Sequence, residues 1–153
     1  MNIVLYTDGS SRGNPGPGGF GTILTAGSHY KELSQGFRKT TNNRMELLAV
    51  IVGLEALKKP GMQVLVVSDS KYVIDSVEKR WVFGWEKKKY KDKKNPDLWK
   101  RFLRVYRKHE VSFKWVKGHA GHKMNERADE LAFNAASQKE LFIDEVFEAG
   151  LAG

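Results

Sequence analysis

Four acidic residues could do chemistry together, because each lies in a short polar cluster beside strongly apolar sequence. They are Asp8 in YTDGS, Glu46 in TTNNRMEL, Asp69 in VVSDS and Asp129 in NERADELA. Taken singly, each could be a turn residue, a helix cap or a solvated helix position. Carboxylates that converge repel one another unless a cation or a proton relieves them. Four such acids would suit hard divalent cations.

The composition favours phosphodiester chemistry at such a site. The chain has no cysteine and only four histidines, so its candidate ligands are oxygens, which suit Mg²⁺ or Mn²⁺ better than zinc. Two such ions about 3.5–4 Å apart can clamp a phosphodiester, one activating the attacking water and the other stabilising the leaving oxygen. A net charge of +8 and a pI near 9.6 fit an acidic partner such as nucleic acid.

The length of 153 residues suits one domain with one hydrophobic core. The opening MNIVLYTDG has neither a basic leader nor a long apolar core, and no stretch reaches the roughly 20 apolar residues of a membrane span. We therefore expect a cytoplasmic protein with no membrane segment. A monomer is the default expectation.

Apolar patterning predicts an α/β protein with a mixed sheet and helices on its faces. Five strands are predicted, in order, from NIVLYT, GFGTILTAG, SHYKELSQGFR, MQVLVVS and VSFKWVKG. Helices are predicted from Asn42 to about Lys58 and over KYVIDSVEK, DLWKRFLRVYRKH and NERADELAFNAAS. The first strand is expected to end at Asp8 and the fourth at Asp69. If these two strands are neighbours, their ends bring both acids to one edge of the sheet.

Two patterns point to other ligands, and both are rejected. The segment 16–21 satisfies G-x-G-x-x-G, but dinucleotide binding needs a helix after it, and TILTAG reads as a strand. His119 and His122 lie three residues apart in GHAGH, which invites a zinc interpretation. A structural zinc site needs about four nitrogen or sulfur ligands, which a chain without cysteine is poorly equipped to supply.

In the order of its motifs the chain resembles ribonuclease H type I. TDGS, GNPGPGG, TTNNRMEL, SDS and KGHAGHKMNERADELA follow one another as they do in that family, from about Met1 to Ser137. The resemblance implies an RNase H-like α/β fold, a five-stranded mixed sheet of three antiparallel and then parallel strands, with helices on both faces. A catalytic domain is expected over 1–138 and a tail over 139–153, of which the closing AGLAG is expected to fray.

The resemblance also implies an activity and its residues. The expected enzyme is an endonuclease that hydrolyses the RNA strand of RNA–DNA hybrids with two Mg²⁺ ions, Mn²⁺ being an alternative, and leaves 3′-OH and 5′-phosphate ends. Asp8, Glu46, Asp69 and Asp129 match the family's catalytic, metal-binding carboxylates. His119 matches a loop histidine that assists proton transfer or product departure, and an ordinary pKa of about 6.5 suits that role.

Substrate contacts are carried over in the same way. Asn14, Asn42 and Asn43 match positions that meet the RNA strand, whose 2′-OH an amide can recognise. Ser11 and Lys71 stand where relatives often carry Cys and Gln. Thr41 and Asn95 resemble parts of a pocket for a DNA-strand phosphate, with Lys39 in place of the Arg often seen there.

A basic segment accounts for the positive charge. From Lys79 to Lys108 the chain has thirteen Lys or Arg and three acids, a net +10 that exceeds the charge of the whole chain. Its first part, 79–98, resembles the family's basic protrusion, which lies against the DNA strand, although the stretch between Trp85 and Trp99 is several residues shorter than in typical bacterial relatives. The expected contacts are Trp81, Trp85, Lys87, Lys88 and Lys89. Alternatively, the two tryptophans pack in a small core.

Other functions on the same fold remain open from the residues alone. One is an integrase, transposase or junction-resolving nuclease, although those usually lack TTNNRMEL, GHAGH and the basic protrusion. Another is a non-catalytic hybrid-binding module, which the four intact acids make unnecessary.

Overall fold

A computed structural model describes residues 2–118 and 121–153. Its strands are β1 (Ile3–Ser11), β2 (Gly16–Ala26), β3 (His29–Thr40), β4 (Gln63–Ser68) and β5 (Glu110–Trp115). Its helices are α1 (Asn42–Glu55), α2 (Lys71–Glu78), α3 (Trp81–Lys87), α4 (Pro96–Tyr106), α5 (Lys123–Ala136) and the single turn α6 (Glu145–Glu148). Within those ranges no helix is long and apolar enough to cross a membrane.

The strands form one mixed sheet in the order β3-β2-β1-β4-β5. β1 pairs antiparallel with β2, and β2 with β3, whereas β1 and β5 both pair parallel with β4. The predicted sheet of three antiparallel and then parallel strands is confirmed. β1 and β4 are neighbours, which was the condition for bringing Asp8 and Asp69 together.

Helices cover both faces of the sheet. On one face, the Thr22 hydroxyl of β2 donates a hydrogen bond to the Ala49 carbonyl of α1 at 2.7 Å. Gly21, the preceding residue, points to the other face because side chains alternate along a strand. There a Cβ on Gly21 would lie only 2.2 Å from the Ala128 carbonyl oxygen of α5. The predicted two-sided cover is confirmed.

The first two strands extend further into the glycine-rich connection than the sequence indicates. β1 does not end at Asp8, because Gly9, Ser10 and Ser11 continue the antiparallel ladder opposite Phe20, Gly19 and Gly18. That part of the prediction is wrong. Ladder pairing here overrides the low intrinsic strand preference of glycine, which is a weak guide when a partner strand is present.

The tail after α5 is docked rather than frayed at its end. Phe142 forms an isolated parallel bridge with Phe37 of β3, and the Asn95 N–H donates to the Ala152 carbonyl at 2.6 Å. Ala152 is buried. The expectation that AGLAG frays is therefore wrong for Ala152, since a contact far away in sequence satisfies its backbone.

The close seating of α5 on the sheet gives a stability prediction. A Cβ on Gly36 of β3 would lie 2.0 Å from the Ala135 carbonyl oxygen, so Gly36→Ala must push the helix away. We expect it to lower the free energy of unfolding by about 1–3 kcal/mol, measured by urea denaturation.

The matched control is Gly84→Ala in the exposed part of α3, where an added Cβ meets nothing within 4 Å. It should raise the free energy of unfolding by roughly 0.5–1 kcal/mol, because alanine loses less conformational entropy in a helix than glycine. Equal urea midpoints for the two variants would contradict the proposed backbone contact.

Candidate active site

Three of the four acids converge at one edge of the sheet. The parallel ladder between β1 and β4 ends with the pair Tyr6 and Val67. Asp8 lies two residues after Tyr6, and Asp69 lies two residues after Val67. Glu46 reaches the same place from the second turn of α1. One carboxylate oxygen from each of these acids lies within 4.8 Å of the others. We call Asp8, Glu46 and Asp69 the acidic cluster.

Close backbone packing delivers Glu46 to this edge. The helix begins at a Thr41 cap, whose hydroxyl accepts the Arg44 N–H at 3.3 Å. A Cβ on Gly9 would lie 2.4 Å from the Glu46 backbone nitrogen, so α1 rests directly on β1. Only glycine at position 9 allows this approach, which puts Glu46 next to Asp8.

Two serines arrange the chain around Asp69. The Ser68 hydroxyl accepts the Ser70 N–H at 3.0 Å, and the Ser70 hydroxyl caps α2 by accepting the Val73 N–H at 3.2 Å. Both serines are buried. Because they satisfy the local backbone donors, the Asp69 carboxylate is left for the acidic cluster.

The fourth acid, Asp129, lies on α5 and acts on Asp8. Its charge and a side-chain hydrogen bond between the two residues both raise the pKa of Asp8. The structure thus brings all four predicted acids into one neighbourhood, from β1, α1, the end of β4 and α5.

Burial and mutual repulsion make this neighbourhood costly to ionise. Burial is the largest cause, followed by the charges of Asp69 and Asp129, and together they raise the pKa of Asp8 to about 8. Burial, and then the charges of Asp8 and Asp69, raises the pKa of Glu46 well above its ordinary value. Two strongly perturbed carboxyls side by side are typical of functional sites.

The acidic cluster fits a divalent cation. Glu46 Oε1 and Asp69 Oδ1 are buried and have no hydrogen-bond partner among the described residues. Buried polar atoms are rarely left unpaired in native proteins, and a bound cation would give both oxygens a partner. An all-carboxylate donor set suits hard cations such as Mg²⁺, which bind oxygen.

Five of the predicted substrate residues lie in or beside a polar cleft. Asn14, Thr41, Asn43, Lys94 and Asn95 line a cavity of about 210 Å³, together with residues of the tail. Asn42 adjoins it, since its N–H donates to Asn14 Oδ1 at 3.1 Å. Ser11 and Lys39 lie outside the lining of this cavity, at the ends of β1 and β3. Lys39 is exposed and Ser11 is half-buried.

Asn95 is more committed to the protein than the sequence suggests. Its Oδ1 accepts from Arg44 at 3.2 Å, its Nδ2 donates to the Tyr72 hydroxyl at 3.0 Å, and its backbone N–H is bonded to Ala152. The residue is buried in a left-handed conformation. In this conformation Asn95 shapes the wall of the cleft, and its role toward a phosphate stays a prediction.

Sequence reasoning missed Arg44, which organises this wall. Its guanidinium is 2% exposed and forms paired hydrogen bonds with Asp97 on α4 and Asp144 of the tail, the shortest at 2.7 and 2.8 Å. A buried arginine needs such partners, since an unpaired charge is very costly there. The available signal was an arginine directly before the apolar positions Met45 and Leu47 of a predicted helix.

The basic segment lies beside the acidic cluster rather than within it. α3 packs against α2, which begins directly after Asp69 and Ser70. Trp85 is half-buried edge-on against the buried Trp99, with ring centroids 5.8 Å apart, whereas Trp81 is 47% exposed. The small-core interpretation therefore describes Trp85 and not Trp81.

The three consecutive lysines of this segment are directed to solvent. Lys87, Lys88 and Lys89 are exposed, and within the described part of the chain none forms an ion pair. His119, the predicted proton-transfer residue, lies outside the described residues.

Comparisons with known proteins define the class. The fold matches solved structures of RNase H1 proteins: LC9-RNase H1, a type 1 RNase H with the type 2 active-site motif, is 32% identical with a TM-score of 0.78, covering 99% of this chain and 81% of that one. LC11-RNase H1, solved in complex with an RNA/DNA hybrid, is 29% identical with a TM-score of 0.66, covering 88% of this chain and 96% of that one.

Sequence comparison gives the family. Residues 1–137 match RNase H. A ribonuclease H of Desulforamulus reducens is 53% identical over 93% of this chain and 92% of its own length. Another, from Lachnoclostridium phytofermentans, is 52% identical over 97% of this chain and all of its own length. The chain belongs to the RNase H family.

The raised pKa values give a pH prediction for the protein kept free of metal with a chelator. The folded state binds protons on Asp8 and Glu46 more tightly than the unfolded state does, so stability falls as pH rises from about 4 toward about 8. Asp8→Asn removes one of these charges. We expect this variant to raise the Tm at pH 8 by about 2–4 °C, which corresponds to a gain in the free energy of unfolding of about 1 kcal/mol. The Tm at pH 4 should change little.

Thermal scans at both pH values test this, with Asp75→Asn on α2 as a control outside the acidic cluster. An Asp8→Asn variant that is no more stable than the wild type at pH 8 would contradict the repulsion described here.

Proposed function

We propose that the acidic cluster, together with Asp129, is the catalytic centre of a ribonuclease H. The protein is a hydrolase that cuts the RNA strand of RNA–DNA hybrids as an endonuclease, leaving 3′-OH and 5′-phosphate ends. The observation that carries the assignment of the centre is the convergence of Asp8, Glu46 and Asp69 within 4.8 Å, with two buried oxygens lacking a protein partner among the described residues. Membership of the RNase H family supplies the substrate class.

The proposed role of the four carboxylates is to hold divalent cations. Such ions would supply an activated water for attack on the scissile phosphate and stabilise the leaving oxygen. The protein's own part is to keep Asp8 and Glu46 ionised only when a cation compensates them, as their raised pKa values imply. We propose Mg²⁺, with Mn²⁺ as a substitute, because all the candidate ligands are oxygens.

We assign recognition of the hybrid to two surfaces. The polar cleft around Asn14, Thr41 and Asn43 offers amide and hydroxyl groups suited to the 2′-OH and backbone of the RNA strand. The exposed Lys87–Lys89, together with the exposed Trp81 at the other end of α3, would follow the phosphates of the DNA strand. The remaining proposed contacts are Ser11, Lys39, Asn42, Lys71, Trp85 and Asn95. His119 would assist proton transfer.

The proposal also includes the boundaries of the catalytic domain and the oligomeric state. We assign the catalytic domain to 1–138, since the family match ends at 137 and α5 at Ala136. The tail over 139–153 packs against β3 and the cleft. A monomer working in the cytoplasm is our expectation for this enzyme.

Two other functions differ from this proposal in what the protein would do to its substrate, and not in the fold that they require. An integrase-like or junction-resolving nuclease would cut duplex or branched DNA, and a non-catalytic module would bind the hybrid without cutting it. The perturbed acidic cluster favours catalysis over binding alone, because its burial is an unnecessary cost for a module that only binds.

Substitution of the acids should abolish turnover. Asp8→Asn or Asp69→Asn removes an anionic metal ligand, so cleavage of a labelled RNA–DNA hybrid in Mg²⁺ should fall to background. Asp75→Asn, which neutralises an acid on α2 outside the acidic cluster, should retain wild-type kcat. Single-stranded RNA, duplex RNA and duplex DNA serve as alternative substrates. Cleavage of duplex DNA, or of the hybrid in chelator, would overturn the proposal.

Neutralising the basic segment should weaken substrate binding more than turnover. We expect Lys87→Gln, Lys88→Gln and Lys89→Gln together to raise KM and to flatten its dependence on salt, with kcat nearly unchanged, because phosphate contacts release counterions. The matched control removes the same charge elsewhere, at Lys31, Lys58 and Lys59. If both triple variants raise KM equally, the effect is one of net charge and not of this segment.

A further inference from the structure

Trp115 lies beside the acidic cluster. It is outside the sequence motifs that resemble ribonuclease H type I. It is the last residue of β5 and pairs with Ser68, the last residue of β4, so it lies alongside Asp69. Its indole N–H donates a hydrogen bond to the Asp69 carbonyl at 3.2 Å. The side chain is nevertheless 43% exposed. A large aromatic ring is thus fixed at one edge and open to solvent at the rim of the catalytic centre.

The open face of this ring carries a cation. The Lys71 ammonium lies 4.5 Å from the ring centroid, inside the range of a cation–π contact. Lys71 is the first residue of α2, where the helix dipole disfavours a positive charge. The indole face offsets that penalty and limits where the flexible side chain goes. The chain therefore places a cation two residues after Asp69 despite a local electrostatic cost.

An ammonium in this place has an obvious use on the proposed substrate. When the scissile phosphate of a hybrid lies at the acidic cluster, neighbouring phosphates of the same strand must lie over the rim of that cluster. A lysine can hold a phosphate as a point charge, and one kept in place beforehand loses less side-chain entropy on binding. Arg44 does not serve this purpose, since Asp97 and Asp144 already occupy its guanidinium.

We propose that Trp115 is a positioning residue of the catalytic centre, which holds the Lys71 ammonium for an RNA-strand phosphate next to the scissile one. Its indole N–H also fixes the main chain of Asp69. The inference rests on the proposed function and deepens it, because it names the group that presents Lys71 to the substrate.

The test compares four variants: Lys71→Met, Trp115→Leu, the double variant, and Trp115→Phe. Hybrid binding is measured in chelator by fluorescence anisotropy over a range of salt, which needs no cleavage. Lys71→Met should weaken binding about three- to tenfold and reduce the slope of log Kd against log salt by about one, as expected for one phosphate contact. Trp115→Leu should weaken binding by a similar factor, and the double variant no further than either alone.

Trp115→Phe separates the two contacts of the indole. It retains an aromatic face for the ammonium and removes the N–H donor to Asp69, so Kd and KM should stay near wild type. The Mg²⁺ concentration for half-maximal cleavage should rise, because the Asp69 main chain is less constrained. Phe133→Leu on α5 is the matched control, since Phe133 is another exposed ring below a cation, with Arg12 at 4.7 Å. It should leave the salt slope unchanged.

Two outcomes would overturn the inference, and a third would refute only the proposed function on which it rests. Additive losses in the double variant would mean that Trp115 and Lys71 act separately. An unchanged Kd and salt slope in Trp115→Leu, with a lowered Tm, would leave Trp115 a structural role only. A wild type that binds the hybrid but does not cleave it would refute the proposed function and leave the binding comparison to decide on Trp115 and Lys71.

Discussion

Mutual repulsion among buried carboxylates is the constraint around which this protein is organised. Asp8, Glu46 and Asp69 lie within 4.8 Å of one another at a largely buried edge of the sheet, where each charge disfavours the others. The fold sets the backbone positions that bring them together. Parallel pairing of β1 with β4 aligns two of the acids, and the backbone contact at Gly9 presses the third against them.

Arg44 and the lysines of the basic segment are placed so that they do not neutralise these acids. Arg44 lies on the same helix as Glu46, but its guanidinium is paired with Asp97 and Asp144, which directs it toward the tail and α4. The exposed lysines of the basic segment lie beyond α2. Because neither Arg44 nor these lysines neutralise the acids, a bound cation can compensate the charge of the acids. The lysines in turn can bind phosphates.

Predictions from sequence were good where local pattern and fold agree, and failed where distant contacts decide. The apolar strand QVLVVS and the helix over KYVIDSVEK belong to the first kind, because the signals that start a strand or a helix lie in neighbouring residues. The extension of β1 through Ser11, the docking of Ala152 on Asn95 and the buried pairing of Arg44 belong to the second. Each depends on a partner brought close only by folding.

The sequence by itself determined the class of fold, the four acids and the concentration of charge between Lys79 and Lys108, since periodicity, motif order and composition are local properties. Only the tertiary structure decided that Asp8, Glu46 and Asp69 share one small volume, that Asn95 is occupied by Arg44, Tyr72 and Ala152, and that Trp115 stands beside Asp69 under the Lys71 ammonium. Distances between residues far apart in the chain are set by strand register and helix docking, which no single segment encodes.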